Sequence, residues 1–345
     1  MNLNSKSEDS NCGNLVAKTI AASAAIGLPT LSTARNNILK EIRVGVIGLS
    51  VHSAAYTEII NSGASSPEFS GCRVVAIFHP KGNPDVEFSE KQLQNFTDTI
   101  KGQGVEFVCS IKKLVKMVDA VMLLTNDGRP HLKEILPVLK AGKPVYVDKP
   151  LAAILTDVVA IFKVSRKYKV PMFSCSPLRY VKEAQDIREG KVVGKVLGAN
   201  TYGPAPIQKS HADLFWDGIH AVESLYTVMG GTGCKTVTRT FTDDADVVVG
   251  KWENGRIGVF RGVRKGRSGF GGTAFGDKGI ASIGVFNGYR PLVVAIVEFF
   301  RSGIAPVSEE ETIEIYAFME AADESKRIAG APVSLSDVLL RAKKK

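Results

Sequence analysis

The chain has 345 residues, of which 44% are hydrophobic and 23% are charged, and its formal net charge is +9. This composition excludes a wholly disordered chain, and no apolar run is long enough to span a bilayer. The basic residues are spread along the chain without a recognisable nucleic-acid module, so neither nucleic acid nor a membrane is predicted as a partner. The five cysteines are scattered without a C-x-x-C pair, and no metal site is predicted.

Residues 1–40 differ in composition from the remainder. A polar start precedes a small, mildly apolar stretch with a small-residue end, which resembles an export leader. Lys18 interrupts the apolar stretch, acidic residues precede it and no Arg-Arg pair is present, so a disordered extension is the alternative. We predict a cytoplasmic protein, with export as the alternative if residues 1–34 act as a leader.

From Ile42 to about residue 172, apolar runs that predict strands alternate with stretches that predict helices. Near-continuous apolar strands separated by helices indicate a parallel sheet that is buried on both faces. We therefore predict a doubly wound α/β domain over 41–172, with its ligand crevice at the carboxyl ends of the strands. The strand candidates are 42–47, 73–78, 105–109, 119–124 and 144–147, and the clearest helices are 130–141, which Gly142 would cap, and 153–168.

After about residue 173 the pattern changes, because strand candidates recur without regular helices between them. A hairpin turn is predicted at Asn254-Gly255, and a long helix is predicted from near Ser308, where "SEEE" forms a capping-box pattern with Glu311. Residues 173–345 are thus predicted to form a mostly antiparallel open sheet with helices on one face. Its strand candidates are 196–202, 235–241, 246–252, 256–262 and 280–285.

The turn after the first predicted strand is close to a dinucleotide-binding fingerprint, G-x-G-x-x-G. Gly48 keeps the tight turn, while Ser50 and Ser53 replace the other two glycines and His52 lies between them. The serine hydroxyls could donate to phosphate oxygens beside the free N–H groups of a helix N-terminus. The alternative is an ordinary strand–helix turn in which the serines are caps.

The carboxylate that usually holds the ribose hydroxyls is absent after the second predicted strand. His79 and Lys81 stand in that region. A basic residue there suits the extra phosphate of NADP, and a solvated loop lysine is the alternative. The sequence therefore does not choose between NAD and NADP.

The segment "AGKPVYVDKPLA", residues 141–152, resembles the A-G-K-x-V-x-x-E-K-P-x-A signature of the Gfo/Idh/MocA oxidoreductases. Asp148 replaces the usual Glu, and Lys149 and Pro150 match. The preceding "VDAVMLLTNDGRPH" and the later "LRY" are also similar to family segments, and the resemblance runs from about 42 to 336.

The resemblance implies a Rossmann domain followed by an α/β domain whose open sheet serves dimerisation, so a homo-oligomer through the C-terminal sheet is predicted. It also implies NAD or NADP as cofactor. Besides the residues already named in the turn and after the second strand, the predicted cofactor contacts are Thr125, Asn126, Asp148, Lys149 and Pro150.

The resemblance places the chemistry at Lys149 and in "LFWDGIHAVESLY". Lys149 would stabilise charge on the substrate oxygen, the alternative being a surface lysine. His220 matches the family pattern D-x-G-x-H-x-x-D and would carry the proton, the alternative being a core histidine. Asp217 lies one residue later than the first acidic position of that pattern. It would assist His220, or simply cap the helix.

The predicted substrate contacts are Arg179, Trp216 and Glu223. Trp216 occupies the first acidic position of the family pattern.

These features predict an NAD(P)-dependent oxidoreductase that transfers hydride between nicotinamide and a secondary alcohol of a sugar, cyclitol or related polyol. One alternative is a non-catalytic regulatory protein that binds a dinucleotide or a sugar. The other is an NAD-dependent enzyme that cleaves glycosides.

Overall fold

The computed structural model describes residues 41–267 and 269–344, so the predicted leader or extension lies outside the described residues. The first sheet has six parallel strands in the order β3-β2-β1-β4-β5-β6. That order confirms the doubly wound prediction and puts the switch point between β1 and β4. The strands are β1 (Ile42–Ile47), β2 (Cys72–Phe78), β3 (Glu106–Phe107), β4 (Ala120–Leu123), β5 (Val145–Val147) and β6 (Met172–Ser174).

Helices cover both faces of this sheet, which explains why every side chain of β4 and β5 is buried. The edge strand β3 is shorter than the predicted 105–109, because only Ala76 and Ile77 of β2 pair with it. The helices of this half are α1 (Val51–Ser62), α2 (Glu90–Gly102), α3 (Ile111–Met117), α4 (His131–Lys140) and α5 (Leu155–Tyr168).

The second sheet has seven strands in the order β12-β11-β7-β10-β9-β8-β13. Only the β7–β10 pair is parallel, so the prediction of a mostly antiparallel sheet is confirmed. The sequence did not predict β11, because its glycines weaken the strand pattern; a Cβ at Gly272 would lie 2.2 Å from the Asn200 carbonyl oxygen. The strands are β7 (Val196–Pro204), β8 (Cys234–Phe241), β9 (Ala245–Trp252), β10 (Ile257–Val263), β11 (Gly271–Gly276), β12 (Ile280–Ser282) and β13 (Val333–Ser334).

The second half contributes the helices α6 (Lys182–Arg188), α7 (Gly218–Met229), α8 (Arg290–Ser302), α9 (Glu309–Arg327) and α10 (Leu335–Lys344). Helices α7 and α9 pack on one face of the second sheet, whereas α8 packs against α1 and joins the core of the first sheet. Among the described residues, no helix is long and apolar enough to cross a membrane.

The predicted long helix begins after Ser308, whose Oγ accepts the Glu311 N–H. The expected capping box is only half formed. The Glu311 carboxylate turns inward to Arg179 and Arg188, because a buried guanidinium binds it more strongly than a neutral backbone N–H does.

Candidate active site

Gly48 follows β1 at the switch point and has a φ of +97°. A Cβ at this position would lie 2.3 Å from the backbone nitrogen of Thr125, which lies two residues after β4. Glycine is therefore required by both the backbone conformation and the close approach of the two strands. The turn lies at the carboxyl end of the sheet, and Gly48 itself is buried.

Ser50 and Ser53 form a capping box at the start of α1. The Ser53 N–H donates to Ser50 Oγ over 3.2 Å, and the Ser53 hydroxyl donates to the Gly48 carbonyl over 2.9 Å. Ser50 Oγ lies 3.1 Å from Ser53 Oγ, so the two hydroxyls have partners within the turn. The expectation that they donate to phosphate remains a prediction, and the first N–H groups of α1 are the donors that a helix start leaves free.

His52 links this turn to the D-K-P segment. Its Nδ1 lies 2.5 Å from Asp148 Oδ2, and both side chains are buried. The other Asp148 oxygen accepts from the Tyr146 hydroxyl over 3.2 Å. Burial raises the pKa of Asp148, but the contact with His52 and the charge of Lys149 outweigh it and hold that pKa below its usual value. Asp148 is therefore an ionised anchor between the predicted cofactor turn and the predicted catalytic lysine.

Lys149 follows β5 and faces the start of α7. Its Nζ donates to Asp217 Oδ1 over 3.1 Å, and its side chain is 12% exposed. Asp217 occupies the N-cap position of α7 but makes no side-chain cap hydrogen bond, so its carboxylate serves Lys149 instead. Pro150 is buried, and the next N–H, that of Leu151, donates to the Tyr316 hydroxyl over 2.6 Å, which fixes the chain after the lysine.

His220 lies in the first turn of α7 and is 9% exposed. Its Nδ1 is 2.7 Å from the hydroxyl oxygen of Ser176. Burial and the positive charge of Lys149 lower the pKa of His220 well below 6.5, so the ring is neutral at pH 7. The structure thus places Ser176, rather than the Asp217 carboxylate, against this histidine.

Arg179 and Glu223 lie beneath the crevice as a buried ion pair. Arg179 Nε donates to Glu223 Oε1 over 2.6 Å, and the second Glu223 oxygen accepts the Ser176 N–H over 2.8 Å. Trp216 is only half-buried, and its ring centroid lies 4.9 Å from that of His211. Direct contact of these three predicted residues with a substrate remains a prediction, and Trp216 is the most accessible of them.

A ten-residue segment, 79–88, which we call the strap, lies over the predicted cofactor side of the crevice. Asn83 Nδ2 donates to Asp127 Oδ2 over 2.5 Å, and Asn126 Nδ2 donates to the Val86 carbonyl over 3.2 Å. Between the strap and Gly48 lies a cavity of about 20 Å³, room for about one water molecule.

His79 lines this cavity, and its Nδ1 is buried without a hydrogen-bond partner. Burial lowers the pKa of His79, so the ring offers neutral polar atoms to a ligand. Lys81 is exposed and does not line the cavity. Thr125 lines it as well, but its hydroxyl donates to the Glu134 carboxylate over 2.7 Å.

No local sequence pattern points to Ser176 or Tyr289 as part of the site. Ser176 lies 44 residues from His220, and the Tyr289 ring meets the His52 ring at 4.9 Å from the other end of the chain. Only the tertiary fold brings them to the site. Among the described residues there is no group of three or more His, Cys, Asp or Glu side chains that could hold a metal ion.

A family model described as an oxidoreductase family with an NAD-binding Rossmann fold, GFO_IDH_MocA, matches residues 42–174. Residues 42–174 are thus similar to the Rossmann domain of the Gfo/Idh/MocA family. The predicted resemblance is thereby confirmed, and the predicted cofactor, NAD or NADP, agrees with the NAD-binding fold of the family. No curated protein matched the chain.

Solved structures resemble the chain beyond the Rossmann domain. A probable dehydrogenase from Thermotoga maritima is 20% identical over 86% of this chain and 100% of its own, with a TM-score of 0.68. A scyllo-inositol dehydrogenase from Lactobacillus casei, with bound NAD(H) and scyllo-inositol, is 15% identical over 86% and 100%, with a TM-score of 0.66. A putative myo-inositol dehydrogenase from Sinorhizobium meliloti 1021 is 17% identical over 85% and 99%, with a TM-score of 0.68. Together they show that both sheets follow a fold seen in dehydrogenase structures.

Proposed function

We propose that the protein is an NAD(P)-dependent oxidoreductase that transfers hydride between nicotinamide and a secondary alcohol of a sugar, cyclitol or related polyol. The observation that carries the proposal is the meeting of Lys149, Asp217 and His220 at the crevice of an NAD-binding Rossmann domain. The pairing of Lys149 with Asp217 at the end of β5 supports a role in the crevice, because the carboxyl ends of the strands are where such folds bind ligands.

The residues around Gly48 fit a dinucleotide. Gly48 and His79 line the same cavity, and among the described residues the buried Nδ1 of His79 has no hydrogen-bond partner. The N–H groups at the start of α1 would hold the pyrophosphate. Asn126 and the carboxyl end of β4 would line the rest of the dinucleotide site. When bound, the nicotinamide supplies the hydride acceptor or donor.

In the reacting crevice, Lys149 would bind the substrate oxygen and stabilise negative charge on it. Asp217 holds the lysine in place, and its side chain is 31% exposed, so it connects the lysine with solvent. The half-buried Trp216 would supply an apolar wall for the carbon face of a sugar-like ring. The inositol dehydrogenases among the similar structures support a cyclitol or sugar as substrate.

We propose the predicted domains 41–172 and 173–345, with the boundary moved to just after β6 because that strand pairs with β5, and a homo-oligomer formed through the second sheet. The face of that sheet opposite α7 and α9 carries the half-buried Val249 and Val259, and Ile257 is 47% exposed. Apolar side chains on an uncovered sheet favour association. The cytoplasmic location also stays a prediction.

A regulatory binding protein is the second candidate, and the strap favours it. Strap residues line the cavity beside Gly48, so we expect the strap to move when a dinucleotide binds there. A protein that opens only for a signal would show binding without turnover.

The experiment is to incubate the protein with NAD⁺ or NADP⁺ and a panel of inositols, aldoses and glycosides, following the absorbance of the reduced nicotinamide and the sugars released. Net reduction of the cofactor with a polyol supports the proposal. Free sugar from a glycoside without net reduction would assign glycoside cleavage instead. Binding without either reaction would leave the regulatory candidate.

A further inference from the structure

Among the described residues, the His220 ring has one hydrogen-bond partner, the Ser176 hydroxyl, and it packs edge-on against the Phe270 ring. Ser176 follows β6 and is fully buried, and its Oγ lies 2.7 Å from His220 Nδ1. The other ring nitrogen, Nε2, has no hydrogen-bond partner among the described residues, and it is not one of the buried unpartnered atoms. Among the described residues, Nε2 is therefore the ring nitrogen left for a ligand.

The remaining bonds of Ser176 are also defined. Its Oγ accepts the Leu178 N–H over 3.2 Å, and its own N–H donates to Glu223 Oε2 over 2.8 Å. The Glu223 carboxylate is fixed in turn by Arg179. Within residues 41–267 and 269–344, His220 Nδ1 is consequently the one acceptor in place for the Ser176 hydroxyl hydrogen.

The two neutral tautomers of His220 differ in how they satisfy this hydroxyl. If Nδ1 carried the proton, it would donate to Ser176 Oγ, and the buried Ser176 O–H would have no acceptor. If Nε2 carries the proton, Ser176 donates to Nδ1 and accepts from Leu178, so every group is paired. The second arrangement leaves no buried donor unsatisfied.

We propose that Ser176 is a positioning residue that holds His220 as the neutral Nε2–H tautomer, so that His220 offers a hydrogen-bond donor, not a base, to the reacting oxygen. The burial and the neighbouring Lys149 charge that keep the ring neutral agree with this.

The chemical consequence rests on the proposed function. When a substrate carbonyl is reduced, its carbon receives hydride and the π pair of the C=O bond moves to the oxygen. That oxygen takes a proton from the Lys149 ammonium, whose partner Asp217 reaches solvent. His220 keeps its Nε2 proton throughout and stabilises the developing negative charge by a hydrogen bond.

The test is the two-bond ¹⁵N–¹H correlation spectrum of protein labelled with ¹⁵N-histidine at pH 7.5, without cofactor or substrate. His220→Gln identifies the signals of His220. The expected wild-type pattern is that of Nε2–H, and a pattern of Nδ1–H would overturn the proposal whatever the variants do.

Ser176→Ala removes the donor to Nδ1, so we expect a shift toward the Nδ1–H tautomer or a mixture, whereas Ser176→Thr keeps the hydroxyl and the wild-type pattern. An unchanged tautomer in a folded Ser176→Ala protein would show that Ser176 does not set it. Because this readout needs no ligand, a protein that binds no dinucleotide would refute the proposed function without affecting the result for Ser176.

Discussion

At the residue scale, the crevice depends on the contact between Lys149 and Asp217, which joins the end of β5 to the start of α7. The Lys149 side chain is 12% exposed, and its Nζ faces the Asp217 carboxylate. This ion pair therefore connects the two elements and also positions the proposed catalytic lysine.

We expect Lys149→Met to lower kcat by about 10²–10³-fold, because the developing charge on the substrate oxygen loses its stabilising cation. The Kd of the dinucleotide should change little, since the methionine keeps the length of the side chain. Steady-state kinetics and calorimetry would measure both. The exposed Lys140→Met at the end of α4 is the control, and equal turnover in the two variants would refute the role of Lys149.

The neutral state of His220 predicts a pH dependence of stability. The unfolded chain binds a proton at His220 below about pH 6.5, and the folded chain does not, because burial first and Lys149 second lower the pKa. The free energy of unfolding should therefore be fully present above pH 6.5 and fall below it, by about 1.4 kcal/mol per pH unit for this one proton. Urea unfolding between pH 7.5 and 5.5 should show a shallower slope in His220→Gln, and parallel slopes would contradict this.

At the element scale, the turn between β1 and α1 depends on Gly48. We expect Gly48→Ala to lower the free energy of unfolding by at least about 3 kcal/mol, since the methyl group would overlap the Thr125 backbone. Gly142→Ala is the matched control, because its φ is also positive but a Cβ there would meet nothing within 4 Å. It should cost only about 1–2 kcal/mol, the strain of the left-handed conformation. Equal losses in urea unfolding would show that the strand contact does not matter.

The strap should control the rate at which a dinucleotide enters. Asn83→Ala removes its hydrogen bond to Asp127, worth about 1 kcal/mol, so we expect the association rate constant of NAD(H) to rise about fivefold. Stopped-flow fluorescence would measure it, with the exposed Asn95→Ala of α2 as control. An unchanged rate would mean that the strap is not a barrier.

The strands and helices could be predicted from the sequence where their burial produces a recognisable apolar pattern along the chain. The strand β4, buried on both faces, appears as an unbroken apolar run, and Lys149 and His220 lie in motifs of neighbouring residues. The contact of His52 with Asp148 spans 96 residues. No local pattern encodes such a pair, nor the inward turn of the Glu223 carboxylate toward Ser176, because both depend on how α1, β5 and α7 pack.

At the scale of the whole molecule, the proposed oligomer forms through the face of the second sheet that lies opposite α7 and α9. Val259 lies opposite Val249 in the register of β10 and β9. We expect Val259→Arg to convert the oligomer into a monomer, because a buried unpaired charge at the contact would cost far more than it gains. Sedimentation velocity would measure the mass, with Ile304→Arg, which is 74% exposed, as control. A wild-type monomer, or an oligomer unaffected by Val259→Arg, would refute this interface.

The central claim is that the serine-substituted turn still binds a nicotinamide dinucleotide. Its most direct test is to denature the purified protein, identify any dinucleotide that is released, and titrate the emptied protein with NAD⁺, NADH, NADP⁺ and NADPH by calorimetry. We predict that at least one form binds with a Kd on the order of micromolar, a typical range for a working enzyme ligand; preference for the phosphorylated pair would assign a role to Lys81. Failure of all four forms to bind would contradict the oxidoreductase assignment and leave Lys149 and His220 without a reaction.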